Sequence, residues 1–289
     1  MSSRAKGILA IVASAFGFAL MALFVRLCDD CGPAVNSFQK SFFRNLVALT
    51  VAAAAFARTQ NGARGAPLPS PGAWLPLLLR STLGTVGIFA NFYALSHVPI
   101  AEGQTLNKTA PFFTVLFAWL FLGERMAWRQ GAVLALAFFG VVLIAKPGFA
   151  GAEAFPLAIG LLGGVCAGGS YTCVRALRRH VVAPAFIVLF FSAFSCLASV
   201  PFMLADFDPM TGLQILVLLG AGMGAAIGQF GITLAYGYAA PREIAVFDYT
   251  NILFTAALGW LCFGQLPDVL SIAGFAVILS AAFFLSRTE

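Results

Sequence analysis

Residues 102–124, EGQTLNKTAPFFTVLFAWLFLGE, and residues 243–265, EIAVFDYTNILFTAALGWLCFGQ, are one passage written twice. Moving the first forward by 141 positions, with no gap, lays Glu102 on Glu243, Asn107 on Asp248, Thr109 on Thr250, Phe113 on Phe254, Thr114 on Thr255, Trp119 on Trp260 and Gly123 on Gly264. A shorter echo sets Val25-Arg26 against Val174-Arg175, so the two halves also begin alike. A two-fold internal repeat in a strongly apolar chain is the mark of a carrier whose site lies between two halves.

Composition supplies the solvent. Of 289 residues, 61% are hydrophobic and 10% charged, with a mean hydropathy of +0.93. A soluble domain has roughly 25% charged residues, so this chain cannot clothe a water-facing surface. A span takes about 20 apolar residues. Breaks in hydropathy delimit ten, near 7–27, 35–57, 74–96, 101–121, 128–146, 156–177, 184–204, 212–237, 242–263 and 268–286. The Gly- and Pro-rich stretch from Gln60 to Gly72 is the longest polar connection and reads as a loop. The first apolar run is followed by Cys28-Asp29-Asp30-Cys31 and not by a small-residue cleavage site, so it reads as an uncleaved span.

With the N-terminus inside, the inner connections collect Arg4, Lys6, Arg58, Arg64, Arg125, Arg129, Arg175, Arg178, Arg179, Arg242 and Arg287, while the outer ones hold Asp29, Asp30, Glu153, Asp206, Asp208 and Asp268. The positive-inside rule then places both termini in the cytoplasm. The net charge of +6 and pI near 9.2 report topology and contact with anionic lipid, not nucleic acid. Five spans per half is odd, so the halves insert upside down to one another. The expected fold is an all-α membrane protein of ten transmembrane helices in two inverted five-helix repeats, 1–148 and 149–289.

Two further features carry a family resemblance. Tyr93-Ala-Leu-Ser-His-Val-Pro99, then Ala110-Pro-Phe-Phe-Thr114 and Phe121-Leu-Gly-Glu124, have their counterpart between Ala235 and Gln265, with Asp248-Tyr249-Thr250 and Gly259 to Gly264. Together with Arg44 in span two, they resemble the drug/metabolite transporter superfamily in its ten-span EamA-type branch. The resemblance covers nearly the whole chain. It implies movement of small organic solutes, which in that superfamily range over amino acids, nucleotide-type metabolites, amines and drugs. Gln265 stands where an acid is usual, and Lys108 is uncommonly deep.

A charge at the bilayer centre costs about 2.5–3.5 kcal/mol on insertion scales, so those that persist face a partner or a wet cavity. The polar residues at depth are Lys40, Arg44, Arg80, Asn91, Gln104, Asn107, Lys108, Gln229, Asp248 and Asn251. Arg44 is either a structural cap on a neighbouring helix or an anchor for a carboxylate, which a guanidinium meets with two parallel hydrogen bonds. Lys40 is shallow enough to reach headgroups. Pro111 deprives the Asn107 carbonyl of its helical partner, which is tolerated where backbone lines a cavity. Asp248, Asn251 and Thr255 recur at i, i+3 and i+7 on one helix face. Lys108 and Asp248 therefore line one chamber, as a structural pair, a zwitterion clamp or, through Asp248, a proton carrier. Glu102 and Glu243 follow prolines and suit the positive end of a helix dipole; Glu102 is also a candidate for proton coupling.

Substrate binding is accordingly expected at Arg44, Asn91, Gln104, Asn107, Lys108, Asp248, Tyr249 and Asn251, in a chamber formed by spans two, four, seven and nine with contributions from one and six. Gly160, Gly164 and Gly168, and again Gly220, Gly224 and Gly228, are spaced for close helix packing. Cys28 and Cys31 either stay reduced or close a strained disulfide; no metal site or cofactor motif is expected, and no phosphate loop or nucleophile elbow occurs. The reading is an inner-membrane secondary carrier, monomer or homodimer, whose partners are a small zwitterionic or carboxylate-bearing solute, lipid and protons. The rivals are an integral-membrane enzyme and a non-transporting scaffold of the same fold.

Overall fold

The computed structural model describes residues 2–33, 35–60, 69–97, 106–145, 154–264 and 269–287. Its ten longer helices among those residues are α1 (Ser3–Asp30), α2 (Ser37–Gln60), α3 (Trp74–His97), α4 (Ala110–Leu122), α5 (Trp128–Ala145), α6 (Ala154–Leu177), α7 (Pro184–Ala205), α8 (Gly212–Tyr238), α9 (Thr250–Phe263) and α10 (Val269–Arg287). Among the described residues, six helical stretches are long and apolar enough to cross a membrane: Ser3–Asp30, Ser37–Gln60, Pro71–Ala94, Pro184–Ala205, Gly212–Tyr238 and Pro241–Phe263. The chain is an all-helical, multi-pass membrane protein. Leu, Phe and Trp side chains such as Leu120, Phe121, Trp119 and Trp260 stand exposed on its outside, where lipid rather than water meets them.

Helix ends fall within a few residues of the hydropathy breaks, with two exceptions. Spans four and nine do not run as single α-helices. Lys108 and Thr109 form a turn before α4, and Thr109 uses both its N–H (3.2 Å) and its Oγ1 (2.6 Å) on the Leu106 carbonyl. Ala245–Tyr249 winds as 3₁₀ helix before α9, and Thr250 Oγ1 donates to the Phe247 carbonyl at 2.7 Å. These two bonds join residues that the 141-residue shift superposes. So do Thr114 Oγ1 to Ala110 O and Thr255 Oγ1 to Asn251 O, each 2.8 Å. Both helices also end alike: Gly123 (φ 67°) and Gly264 (φ 65°) take the left-handed conformation that glycine adopts without a Cβ penalty.

Packing has the same pairing. Among the most extensive helix contacts, α1 lies on α8 and α3 on α6; α4 lies on α6 and α9 on α1; α2 lies on α8 and α7 on α3; α2 packs with α7 and α5 with α10. Advancing every label by five, modulo ten, returns each of these contacts, whereas the smaller α6–α8 contact has no counterpart of similar extent among the described residues. The long α1–α8 contact is possible because Gly17 meets backbone: a Cβ there would sit 2.6 Å from Gly228 N and 2.8 Å from Gly224 O. On the other side a Cβ at Gly164 in α6 would stand 2.5 Å from Leu106 O and overlap Thr109 Oγ1, so the broken start of span four rests directly on that glycine. Gly164→Ala is expected to destabilise the protein by about 1–3 kcal/mol through overpacking, read as a lowered melting temperature in detergent; Gly237→Ala, with open space around it, serves as the control that leaves the melt in place.

Cys28 and Cys31 are free thiols, Cys28 buried under α8. Lys40 does not reach outward alone: its Nζ lies 2.5 Å from Asp29 Oδ1.

Candidate functional site

Where the two broken helices face each other they leave a cavity of about 270 Å³. Its wall runs from Ser170, Tyr171 and Gln229 at depth to Arg26 and Asp29 in the last turn of α1, where the Asp29 side chain is 46% exposed. It therefore opens at the end of the bundle that carries Asn36 and Asp208, whose side chains tie the start of α2 to the link after α7: the Asn36 N–H donates to Asp208 Oδ2 at 2.8 Å.

The opposite end is shut. Ile11, Leu77, Val174, Leu177, Ile187, Ile232, Tyr236 and Ile244 pack into a buried apolar cluster, and the Tyr171 ring lies 5.8 Å from that of Tyr236. Beyond the cluster Arg175 Nε donates to Glu124 Oε1 at 2.7 Å and its Nη1 to the Tyr236 carbonyl at 3.3 Å. Arg179 donates to the Leu122 carbonyl at 3.0 Å, Arg242 to the Arg125 carbonyl, and Ser3 Oγ to the Tyr238 carbonyl at 2.6 Å. These bonds join the ends of α4, α6 and α8 to the start of α1 and the turn before α9.

Lys108 and Asp248 meet inside the cavity, each 6% exposed, with Nζ 3.7 Å from Oδ2. That is ionic contact beyond the 2.7–3.2 Å of a hydrogen bond, so each group keeps donor or acceptor capacity. The 3₁₀ winding before α9 and the turn before α4 are what bring these two residues out of regular helix and toward one another. Asn251 and Thr255 share the wall with Asp248, as the i, i+3, i+7 spacing predicts. Asn251 Nδ2, however, is spent on the Ala15 carbonyl of α1 at 2.7 Å, so it fixes α9 to α1 while presenting its oxygen. Asn107 lines the cavity, and so does Asn91, whose Nδ2 has no partner among the described residues. Arg44 reaches it from α2, 4% exposed, its Nε likewise unpartnered.

Tyr249 departs from the expectation. It is fully buried outside the cavity, among Val115, Leu134, Ala137, Val246, Ile278 and Ala281, because the three-residue turn of a 3₁₀ segment swings the position after Asp248 away from the wall. Tyr171 is the tyrosine that the cavity holds. Gln104 and Glu102 lie outside the described residues. Span three proves a major wall: Arg80, Gly84, Gly87, Ile88, Asn91 and Phe92 all line it, against an expectation centred on spans two, four, seven and nine. Ser170, Phe191 and Gln229 were not expected as lining residues either; of these, only Gln229 gave a signal, as a polar residue at membrane depth. Among the described residues no cluster of His, Cys, Asp and Glu could hold a metal.

A chamber that carries charged and polar side chains on a largely apolar wall, open at one end and sealed at the other, suits passage of a solute. The EamA-like transporter family model matches residues 5–146. A pseudopaline exporter of Pseudomonas aeruginosa is 32% identical over 98% of this chain and 97% of its own length. A riboflavin transporter of Rhizobium johnstonii is 33% identical over 73% of this chain and 70% of its own. A crystal structure of a protein at 20% identity superposes with a TM-score of 0.75 over 96% of this chain and 99% of that one, a likeness of fold alone. With a full-length relative above 30% identity, the chain belongs to the EamA-like transporters of the drug/metabolite transporter superfamily, a family of small-molecule transporters and not of enzymes.

Proposed function

We propose that the protein is a proton-coupled secondary carrier of the inner membrane for zwitterionic or carboxylate-bearing metabolites such as amino acids. It works by rocking two inverted five-helix halves, 1–148 and 149–289, about the central chamber, with both termini in the cytoplasm. The observation that carries this reading is the Lys108–Asp248 contact at 3.7 Å, in which each half contributes one charge from a break in its own helix. The matched hydrogen bonds and the five-step symmetry of the packing support the two-half motion.

A carboxylate entering the chamber is drawn to Arg44, whose Nε has no partner among the described residues, and an ammonium to Asp248. The basic residues concentrated beyond Arg175 and Glu124 support a cytoplasmic sealed end by the positive-inside rule, and with it an outward-open conformation. The names of the relatives, an exporter in one case and a transporter in the other, favour small organic cargo.

Proteoliposomes under an imposed pH gradient test the reading with a panel of labelled amino acids: uptake that follows the gradient supports it, and none for any member refutes it. Arg44→Ala is expected to weaken carboxylate solutes by about 10- to 100-fold, the equivalent of one charge-assisted hydrogen bond of about 1.5–3 kcal/mol, measured by competition. Unchanged competition removes the anchor assignment.

A further inference from the structure

Arg80 lies in the second turn of α3 with 1% of its surface exposed. Its head group is held on three sides: Nη1 donates to Ser170 Oγ at 2.6 Å, Nη2 to Gln229 Oε1 at 2.6 Å, and Cζ lies 4.0 Å from the centre of the Phe191 ring. Ser170 Oγ donates in turn to the Arg80 carbonyl at 2.9 Å, so that hydroxyl is committed in both directions. Gly84, one turn along, makes the room: a Cβ there would stand 2.5 Å from Arg80 Nη1 and 2.7 Å from the Phe191 ring. Three helices thus combine to aim one guanidinium.

Every one of those partners is neutral. A guanidinium has five N–H donors; two are used here, and Nε has no partner among the described residues. Arg44, from α2, lines the same cavity, its own Nε unpartnered among the described residues. Among the described residues no carboxylate forms a salt bridge with either. The acids on the cavity wall are otherwise engaged: Asp248 faces Lys108, and Asp29 at the mouth faces Lys40. At the mouth too, Arg26 stands over the Phe263 ring at 5.6 Å, away from the depth at which Arg80 sits. Two buried cations on the wall of one cavity, with no salt bridge to a carboxylate among the described residues, call for an anion. One carboxylate would leave a positive charge over.

We infer that Arg44 and Arg80 form a single two-guanidinium pole that receives two carboxylates of one cargo, while Asp248 receives its amine. The cargo class is an amino-dicarboxylate, or a larger molecule with an amine and at least two carboxylates. This rests on the chamber being the solute site and narrows the class that enters it. Arg80 becomes a specificity-determining residue, preorganised by Ser170, Gln229 and Phe191 so that it loses little freedom on binding.

The test uses the purified full chain in detergent, with binding read by thermal shift against graded concentrations of L-glutamate, L-glutamine, glutarate and inorganic phosphate. Glutamate is expected to bind at least about tenfold more tightly than glutamine, which lacks the second carboxylate, and than glutarate, which lacks the amine; phosphate is expected not to match it. Equal affinity for glutamate and glutamine overturns the two-carboxylate pole while leaving a one-carboxylate site standing. Phosphate equal to glutamate makes the pole a generic dianion site and also overturns it. No response to any of the four removes the pole and the carboxylate reading together. Arg80→Gln is expected to weaken glutamate binding and bring the glutamate-over-glutamine ratio close to one; a ratio that persists overturns the assignment. Gly84→Ala, which keeps the charge but displaces the head group, is expected to narrow the same ratio, and the unaltered protein's panel stands whether or not either variant folds.

Discussion

Asp248→Asn is expected to abolish uptake driven by a pH gradient and, at the same time, to lower the thermal stability of the carrier. Both effects come from one contact. Asp248 and Lys108 are each 6% exposed and 3.7 Å apart, so the carboxylate is the counter-charge that lets a lysine persist inside the bundle. An asparagine has similar shape but carries no charge and takes up no proton. Removing one partner of a buried ion pair costs about 3–5 kcal/mol, because the other charge is left without compensation. The double variant Lys108→Gln, Asp248→Asn separates the two roles. It removes both charges, and the two sites touch, so their effects are expected not to add. Stability should return most of the way while gradient-driven uptake stays absent. Uptake in proteoliposomes and melting in detergent read the two quantities independently. Full pH-driven uptake by the single variant would remove Asp248 from the proton route.

Arg175→Ala is expected to unlatch the sealed end. Arg175 ties α6 to Glu124 just past α4 and to the Tyr236 carbonyl of α8, with the ion pair only 18% and 16% exposed. A charge-assisted bond of that kind contributes about 1.5–3 kcal/mol, which corresponds to a shift of about 10- to 100-fold in the balance between shut and open. Ala235, fully buried in the apolar cluster behind this pair, is the reporter position. On a background without the six native cysteines, a cysteine placed at Ala235 should react slowly with a membrane-impermeant maleimide in the parent carrier. It should react about 10–100 times faster once Arg175 is alanine, and Glu124→Gln should lie between. Identical labelling rates in all three would show that the apolar cluster, and not the ion pair, holds the end shut.

How much of this was legible in the chain depends on the kind of pattern each feature leaves. Helix ends coincide with breaks in hydropathy because lipid penalises polar backbone wherever it is not paired within a helix. The Asp248, Asn251, Thr255 wall was legible because i, i+3, i+7 is one helical face, and three of those positions do line the cavity. That Asp248 and Lys108 line one chamber is the repeat's expectation; their contact at 3.7 Å is not contained in it. The interruption of spans four and nine was half legible: Pro111 signals a freed carbonyl, but nothing in Ala245-Val-Phe-Asp-Tyr249 distinguishes 3₁₀ from α winding. The misplacement of Tyr249 follows directly from that, since rotating a residue from 3.6 to three per turn changes which way it points. Arg80 was visible as a charge at depth, yet its significance lies in partners 90 and 149 positions away, and no local pattern carries such a link. Ser170 and Phe191 gave no signal at all, being a small hydroxyl in a glycine-rich helix and one of 30 phenylalanines.

The guanidiniums of Arg44 and Arg80, which form no salt bridge to a carboxylate among the described residues, also bear on the return leg of the proposed cycle. An unladen chamber holds two positive charges in a low-dielectric interior, and rocking it closed around nothing buries them further. Cargo neutralises them and makes the crossing easier. Countertransport should therefore outpace net flux, with solute supplied on the far side of the vesicle accelerating entry from the near side.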